Sequence, residues 1–307
     1  MPTALSDLYP EFTNLIIQTY FFWVYDIWVQ PDWTKFCQVV PSTKDAEFYP
    51  TLTAPMKMDY FEGTRRFGAA GAAVAVAART TQGATSAFPG SIDETAAQIR
   101  AAGGTAIAIA TDLAKPGDRE RLVEQTTRRL AAPDILVNNA AVTYFTRVED
   151  FTPKRYALMF AVQVEASFHL AQLVLPHLRE HGAGWILNLS STAARHPAIP
   201  PTAWAGRGGT VYGMCKAAIE RFSTGLAAEL YPDNIAVNAL SPTRVVPTPG
   251  TIFHHLTTED DPNAEPPSVM AEAALLLCQR EPRTLTGRIA YSQELLTEFG
   301  IPAPGTR

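Results

Sequence analysis

The chain has 307 residues, of which 47% are hydrophobic and 18% charged, so it can bury a core large enough for one or two domains. Its 25 basic and 30 acidic residues give a net charge of -5 without a Lys/Arg-rich run, which argues against nucleic acid as the main partner. Three widely separated cysteines, Cys37, Cys215 and Cys278, contain no CxxC pair. We therefore expect no disulfide framework, no metal site and a cytoplasmic location.

Residues 1–66 form an atypical N-terminal segment, rich in aromatics and broken by prolines. Its most apolar part, 15–29, is 15 residues long and contains Gln18 and Asp26, whereas a membrane span needs about 20 apolar residues. We expect buried aromatic structure and no membrane span, with an interfacial anchor as the alternative.

From residue 72 onward, apolar β-type runs alternate with helical segments. Ser91 and Glu94 have the spacing of a capping box and mark the start of one helix. The strands carry no polar alternation, which is typical of a parallel sheet covered on both faces. Residues 67–307 are thus predicted to form an α/β, doubly wound, Rossmann-like domain. The predicted strands are 72–78, 105–110, 134–138, 185–190, 235–240 and 288–292, and the predicted helices are 91–104, 116–131, 152–181, 212–231 and 267–280.

Tyr212 and Lys216 lie four residues apart at the start of a predicted helix, so their side chains share one face. A phenol is a poor base at neutral pH, and a nearby ammonium favours the phenolate. Ser191 follows a strand at the carboxyl edge of the sheet, where its hydroxyl could bind a carbonyl oxygen. Together the three residues suggest general acid–base chemistry, although YxxxK alone also fits an ordinary amphipathic helix.

Residues 71–300 resemble the short-chain dehydrogenase/reductase family. The resemblance rests on four motifs in order: NNAA at 138–141, ILNLSS at 186–191, YGMCK at 212–216 and SPT at 241–243. It implies an NAD(P)-dependent oxidoreductase acting on a small carbonyl or secondary alcohol, with a homo-oligomer left open. Tyr212 would transfer the proton, Ser191 would position the substrate oxygen, and Lys216 would bind the ribose and lower the tyrosine pKa.

Several positions depart from the family pattern. Gln163 stands where the family has a catalytic asparagine; it could serve a water relay or be an ordinary polar helix residue. Ala141 replaces a usual glycine, and the interval between Ser191 and Tyr212 is long. The loop within that interval carries His196 and Trp204, which could line a substrate pocket or simply be packed.

The cofactor site implied by the resemblance has two ends. Arg79, after the second strand of the family fold, favours a 2′-phosphate and hence NADP(H) over NAD(H), although a solvated strand-end charge is the alternative. Asp112 would lie beside the adenine. The remaining predicted contacts are Asn138, which we also expect to tie adjacent strands, and Ala140, Tyr212, Lys216, Thr243 and Thr248.

The glycine-rich phosphate loop of the family has no counterpart in the stretch before residue 73. Gly63, Gly68 and Gly71 fail the TGxxxGxG spacing and are predicted to end a helix. We therefore expect a sheet that is incomplete at its first strand, unless 35–40 substitutes for it, and weak nucleotide binding. The aromatic run 20–28 is expected to cover the exposed sheet or helices. The alternative function is that of a non-catalytic relative, a binding or interaction protein that keeps the fold but binds the cofactor poorly. A third interpretation is that residues 1–66 are a recombined N-terminus.

Overall fold

The computed structural model describes residues 14–18, 21–22, 62–81, 90–201, 206 and 208–304. The strands in these ranges are β1 (Asn14–Gln18), β2 (Phe21–Phe22), β3 (Ala73–Ala78), β4 (Thr105–Ala110), β5 (Ile135–Asn138), β6 (Ala141–Val142), β7 (Gly184–Leu189), β8 (Ile235–Ser241) and β9 (Ile289–Tyr291). The α-helices are α1 (Glu62–Ala69), α2 (Ile92–Ala101), α3 (Pro116–Arg129), α4 (Pro153–Phe160), α5 (Ala166–His181), α6 (Thr210–Leu230), α7 (Pro249–Phe253), α8 (Pro267–Gln279) and α9 (Ser292–Glu298).

Seven strands form one parallel sheet in the order β4-β3-β1-β5-β7-β8-β9. The predicted parallel α/β architecture is therefore confirmed. Helices cover the sheet: α1 packs with α2 and α8, and α3 packs with α5. The strands are correspondingly buried, and residues 74–78 of β3 are all at most 6% exposed.

The prediction of a sheet without its first strand is wrong. β1 lies between β3 and β5, and Leu15 is in register with Val74 on one side and with Ile135 on the other. Its sequence, NLIIQ, is largely apolar, which is typical of a central strand in a parallel sheet. Residues 1–66 thus supply a strand to the domain that follows them. The substitute strand suggested at 35–40 lies outside the described residues.

Gly68 and Gly71 lie at the end of a helix, as predicted, whereas the prediction is wrong for Gly63, which is the second residue of α1. α1 contains Gly63 and Gly68, and Gly71 follows it with a φ of 96°. The start of α2 is also as predicted, because the Ser91 hydroxyl accepts a hydrogen bond of 3.1 Å from the backbone N–H of Glu94.

One helical stretch, Pro153–His181, is long and apolar enough by length and composition to cross a membrane. It consists of α4, a π-helical turn at Ala161–Glu165, and α5. Within α5, Leu170, Val174 and Leu178 are fully buried in the core, and α5 contacts β5 and β7. The stretch is thus a core helix of this domain, and the expectation that the chain has no membrane span stays a prediction.

The order of the strands creates a crevice at one edge of the sheet. From β1 the chain builds β3 and β4 on one side and then crosses to β5, β7, β8 and β9 on the other. In open α/β sheets, ligands bind at the carboxyl ends of the strands where the direction of winding reverses. Here that point lies between the ends of β1 and β5.

Candidate active site

Ser191, Tyr212 and Lys216 meet at the carboxyl edge of the sheet. Ser191 follows β7, and its side chain is hydrogen-bonded to that of Tyr212 in the first turn of α6. Lys216 lies one turn further along the helix, with its Nζ 5.5 Å from the centroid of the Tyr212 ring. The structure therefore brings together the three residues that the sequence singled out.

Two glycines allow the backbone around this corner to pack closely. A Cβ at Gly213 would lie 2.7 Å from the carbonyl oxygen of Ala193, so α6 passes directly against the turn after Ser191. Gly208 has a φ of +95°, and a Cβ there would lie 2.4 Å from the backbone carbon of Thr146. Only glycine fits such a position, so Gly208 fixes where the chain enters α6.

Burial shifts the pKa values of both Tyr212 and Lys216. It raises the pKa of Tyr212, while the hydrogen bond with Ser191 acts in the opposite direction. Burial also lowers the pKa of Lys216 to about 8, and the Nζ of Lys216 donates a 2.9 Å hydrogen bond to the carbonyl of Leu189. The pKa of Tyr212 therefore lies above its ordinary value, and a lowering of this pKa by the ammonium of Lys216 stays a prediction.

A buried amide network holds the strands behind the corner. Asn138 Nδ2 donates to Asn188 Oδ1 at 2.8 Å, and Asn188 Nδ2 donates to the Ser223 hydroxyl at 2.8 Å. β5, β7 and α6 are thereby joined. The strand-tying role expected for Asn138 is confirmed, and its contact with a cofactor stays a prediction. The sequence analysis did not identify Asn188, although this residue stands in the ILNLSS motif and is in register with Asn138.

Gln163 lies in the π-helical turn and is fully buried. Its Nε2 donates to the carbonyl of Val142 at 2.8 Å, and its Oε1 is buried without a hydrogen-bond partner among the described residues. The buried Arg119 supports the same turn, because it donates to the carbonyls of Leu113 (2.6 Å) and Ala161 (3.2 Å). A catalytic role for Gln163 stays a prediction, and Arg119 is a supporting residue that sequence patterns did not reveal.

Two threonines predicted to contact the cofactor are engaged in local structure. Thr243 Oγ1 accepts a hydrogen bond from the Gln293 N–H at 3.1 Å, and the Thr243 N–H donates to Ser292 Oγ at 3.0 Å. Thr248 forms a capping box with Thr251 at the start of α7. These bonds fix the chain after β8, and the proposed cofactor contacts stay predictions.

The predicted adenosine end follows β3 and β4. Arg79 comes directly after β3, and Asp112 lies two residues beyond β4. The Oδ1 of Asp112 accepts a 3.2 Å hydrogen bond from the N–H of Ala114, which caps the turn before α3. Ala140 is buried between β5 and β6. Contacts from these residues to a nucleotide stay predictions.

The loop between Ser191 and Tyr212 is described in part. His196 is exposed, and Trp204 lies outside the described residues.

Cys215 and Cys278 are buried free thiols, and Cys37 lies outside the described residues. Across the described ranges, no three His, Cys, Asp or Glu side chains converge on a common point that could hold a metal ion.

The segments that follow β1 and β5 pair with each other at the edge of the crevice. Just beyond the two strands, β2 pairs in parallel with β6, with Phe21 opposite Ala141 and Phe22 opposite Val142, and β2 also contacts α7. From residue 19 to residue 62 the sequence contains no glycine. The sequence between β1 and α1 thus lacks the glycines with which this kind of fold usually admits the pyrophosphate of a dinucleotide, and contacts of Tyr212 and Lys216 with its nicotinamide end stay predictions. Of the aromatic run 20–28, the structure describes the backbone of Phe21–Phe22 alone, so the expected aromatic cover stays a prediction.

The chain matches the family model of the short chain dehydrogenases over residues 61–254, and it belongs to that family. It is 29% identical over 231 residues to hydroxysteroid dehydrogenase-like protein 2 of Xenopus tropicalis, covering 75% of this chain and 53% of that protein. The chain therefore spans about half the length of the curated relatives it matches first.

Solved structures agree with the family assignment. A short chain dehydrogenase from Mycobacterium thermoresistibile superposes with a TM-score of 0.67 at 29% identity, covering 79% of this chain and 83% of that one. A 3-oxoacyl (acyl-carrier-protein) reductase from Agrobacterium tumefaciens, with NADP bound, superposes with a TM-score of 0.62 at 25% identity, covering 76% and 87%.

Proposed function

We propose that the protein is an NADP(H)-dependent oxidoreductase that interconverts a small carbonyl compound and the corresponding secondary alcohol. The observation that carries this proposal is the arrangement of Ser191, Tyr212 and buried Lys216 at the carboxyl edge of the sheet. Membership of the short-chain dehydrogenase family supports the reaction class. We also expect a cytoplasmic location and leave a homo-oligomer open.

The corner supplies the proton of the reduction. The Tyr212 phenol, whose pKa is raised by burial, gives its proton to the carbonyl oxygen of the substrate. The Ser191 hydroxyl donates a hydrogen bond to the same oxygen and so orients it. The positive charge of Lys216 stabilises the phenolate that remains. When bound, the nicotinamide supplies the hydride, and the oxidation of an alcohol runs through the same groups in reverse.

We assign the two ends of the cofactor to different residues. Lys216 and Tyr212 would hold the nicotinamide ribose, and Arg79 would bind the 2′-phosphate that distinguishes NADP(H) from NAD(H). The NADP bound to the Agrobacterium tumefaciens reductase supports a nicotinamide cofactor for this fold.

The catalytic assignment is tested by Tyr212→Phe. The change removes the transferable proton and little packing, so NADPH-dependent reduction of a panel of aldehydes and ketones should be abolished while the fold is kept. Tyr231→Phe is the matched control, because Tyr231 is 51% exposed at the other end of α6. Activity of Tyr212→Phe within a few-fold of the parent would remove the residue from catalysis.

The cofactor assignment is tested by Arg79→Ala. Because a hydrogen bond to a charged phosphate contributes about 1.5–3 kcal/mol, the variant should lose much more affinity for NADPH than for NADH in calorimetry. The exposed Arg128 provides the control Arg128→Ala. Equal losses for both nucleotides would contradict a role for Arg79 in selecting NADP(H).

A second candidate function, a non-catalytic relative, is favoured by the backbone pairing of β2 with β6 across the crevice. Because the β2–β6 pairing lies where the cofactor would enter, the parent should bind NADPH poorly. Replacing both Phe21 and Phe22 by proline removes two backbone N–H groups and should break the pairing, whereas replacing both by alanine keeps them. Tighter NADPH binding by the proline variant than by the alanine variant supports the non-catalytic reading of the parent, and tight binding by the parent contradicts it.

A further inference from the structure

Two rings that the sequence did not single out are linked to the catalytic tyrosine. Phe145 packs edge-on against Tyr212, with ring centroids 5.8 Å apart and planes at 69°. His254 packs edge-on against Phe145, with centroids 4.6 Å apart and planes at 86°. We refer to Phe145 and His254 as the aromatic wall.

The aromatic wall stands where a substrate would approach. Phe145 lies three residues beyond β6, and His254 follows α7 in the segment after β8, so both come after the carboxyl ends of strands. This is the edge at which α/β sheets bind ligands. Both side chains are only partly buried, so a ligand next to Tyr212 can contact them.

The aromatic wall is uncharged at neutral pH, because burial lowers the pKa of His254 to about 3. Two cations of the described residues, one close to Phe145 in the chain and one close to Tyr212, each have a partner. Arg147 is 70% exposed and pairs with Glu149 at 2.9 Å, and Lys216 donates to the carbonyl of Leu189. A carboxylate placed against the wall would therefore lose water, and of the described residues neither Arg147 nor Lys216 could pair with it without giving up its present partner.

We propose that the aromatic wall makes the Tyr212 site selective for uncharged carbonyl compounds that carry an aromatic or similarly flat apolar group, and against keto acids. The inference rests on the proposed function and deepens it by naming the substrate class. A flat ring can add to the wall in the offset or edge-to-face geometry that aromatic groups prefer, with centroids about 4.5–7 Å apart.

Steady-state reduction of acetophenone and of pyruvate by NADPH tests the proposal. The parent should prefer acetophenone, and Phe145→Ala should lower kcat/KM for acetophenone about tenfold or more, the loss expected when a ring contact is removed. Phe145→Leu keeps apolar volume without a ring and should change specificity in the same direction. His254→Arg should raise kcat/KM for pyruvate roughly tenfold, because it adds a cation that can bind the carboxylate. Phe168→Ala, at a half-exposed ring of α5, is the control and should leave the preference unchanged.

Binding separates this inference from the proposed function. The Tyr212→Phe protein keeps the ring beside Phe145 and can be titrated with acetophenone and with pyruvate by ligand-observed NMR. If no carbonyl is reduced by the parent, the proposed function fails, whereas the wall is judged by this binding alone. Preferential binding of acetophenone that is lost with Phe145→Leu supports the wall. Binding of pyruvate at least as tight, or acetophenone binding unaffected by Phe145→Leu, would overturn it.

Discussion

Replacing Lys216 by methionine should remove activity without a matching loss of stability. Lys216 is 2% exposed, and a fall of its pKa from 10.5 to about 8 corresponds to about 3 kcal/mol for burying its charge at neutral pH. Methionine fills a similar volume without a charge. The variant loses the hydrogen bond to the carbonyl of Leu189, which costs about 1–3 kcal/mol. At pH 7 we therefore expect it to be as stable as the parent or up to about 2 kcal/mol more stable.

The pH dependence makes this prediction sharper. Because the pKa of Lys216 is lower in the folded than in the unfolded state, the unfolded chain binds more protons between about pH 8 and 10.5. The parent should therefore gain stability from this residue as pH rises through that window, and Lys216→Met should not. The advantage of the variant over the parent should fall by about 3 kcal/mol between neutral pH and about pH 10.5.

Urea unfolding followed by circular dichroism at several pH values measures this difference. Lys154→Met is the matched control, because Lys154 is exposed, and its difference from the parent should stay flat across the same range. A difference between Lys216→Met and the parent that stays constant within about 0.5 kcal/mol would refute the reasoning that burial lowers the pKa of Lys216.

Two further changes test the framework around the corner. Gly208→Ala should destabilise the protein by about 2–4 kcal/mol in thermal unfolding, because it combines a φ of +95° with a 2.4 Å approach to the Thr146 backbone. Gly206→Ala meets nothing within 4 Å and should be nearly neutral; equal effects at the two sites would contradict the argument. Asn138→Ala should cost about 1–3 kcal/mol in urea unfolding, because it deprives the buried Asn188 Oδ1 of its donor. In the Asn138→Ala background, Asn188→Ala should lower the free energy of unfolding by less than it does in the parent. Strictly additive losses in the double variant would contradict this coupling.

The class of fold could be predicted because its signals are local. The apolar runs at 105–110 and 235–240 correspond closely to β4 and β8, and their lack of polar alternation indicated a parallel sheet. The helix start at Ser91 could be predicted as well, because a helix cap depends on residues only three positions apart. Ser191, Tyr212 and Lys216 could also be identified from the sequence, because each stands in a short motif and the motifs follow one another in a fixed order.

Other features depend on contacts between distant parts of the chain. β1 was read as part of a longer apolar segment, because nothing within NLIIQ shows that it pairs with β3 and β5. Phe145 and His254 stand in stretches without a motif, and only the fold brings their rings together beside Tyr212.

The sequence by itself determined the parallel α/β class, the order of most elements and the three residues Ser191, Tyr212 and Lys216 that meet at the edge of the sheet, because hydrophobic pattern, capping and motif spacing are properties of neighbouring residues. Tertiary structure alone decided that β1 completes the sheet, that β2 pairs with β6, and that burial raises the pKa of Tyr212 while lowering the pKa of Lys216. Pairing register and desolvation are set by which remote segments pack together, and a single sequence does not display them.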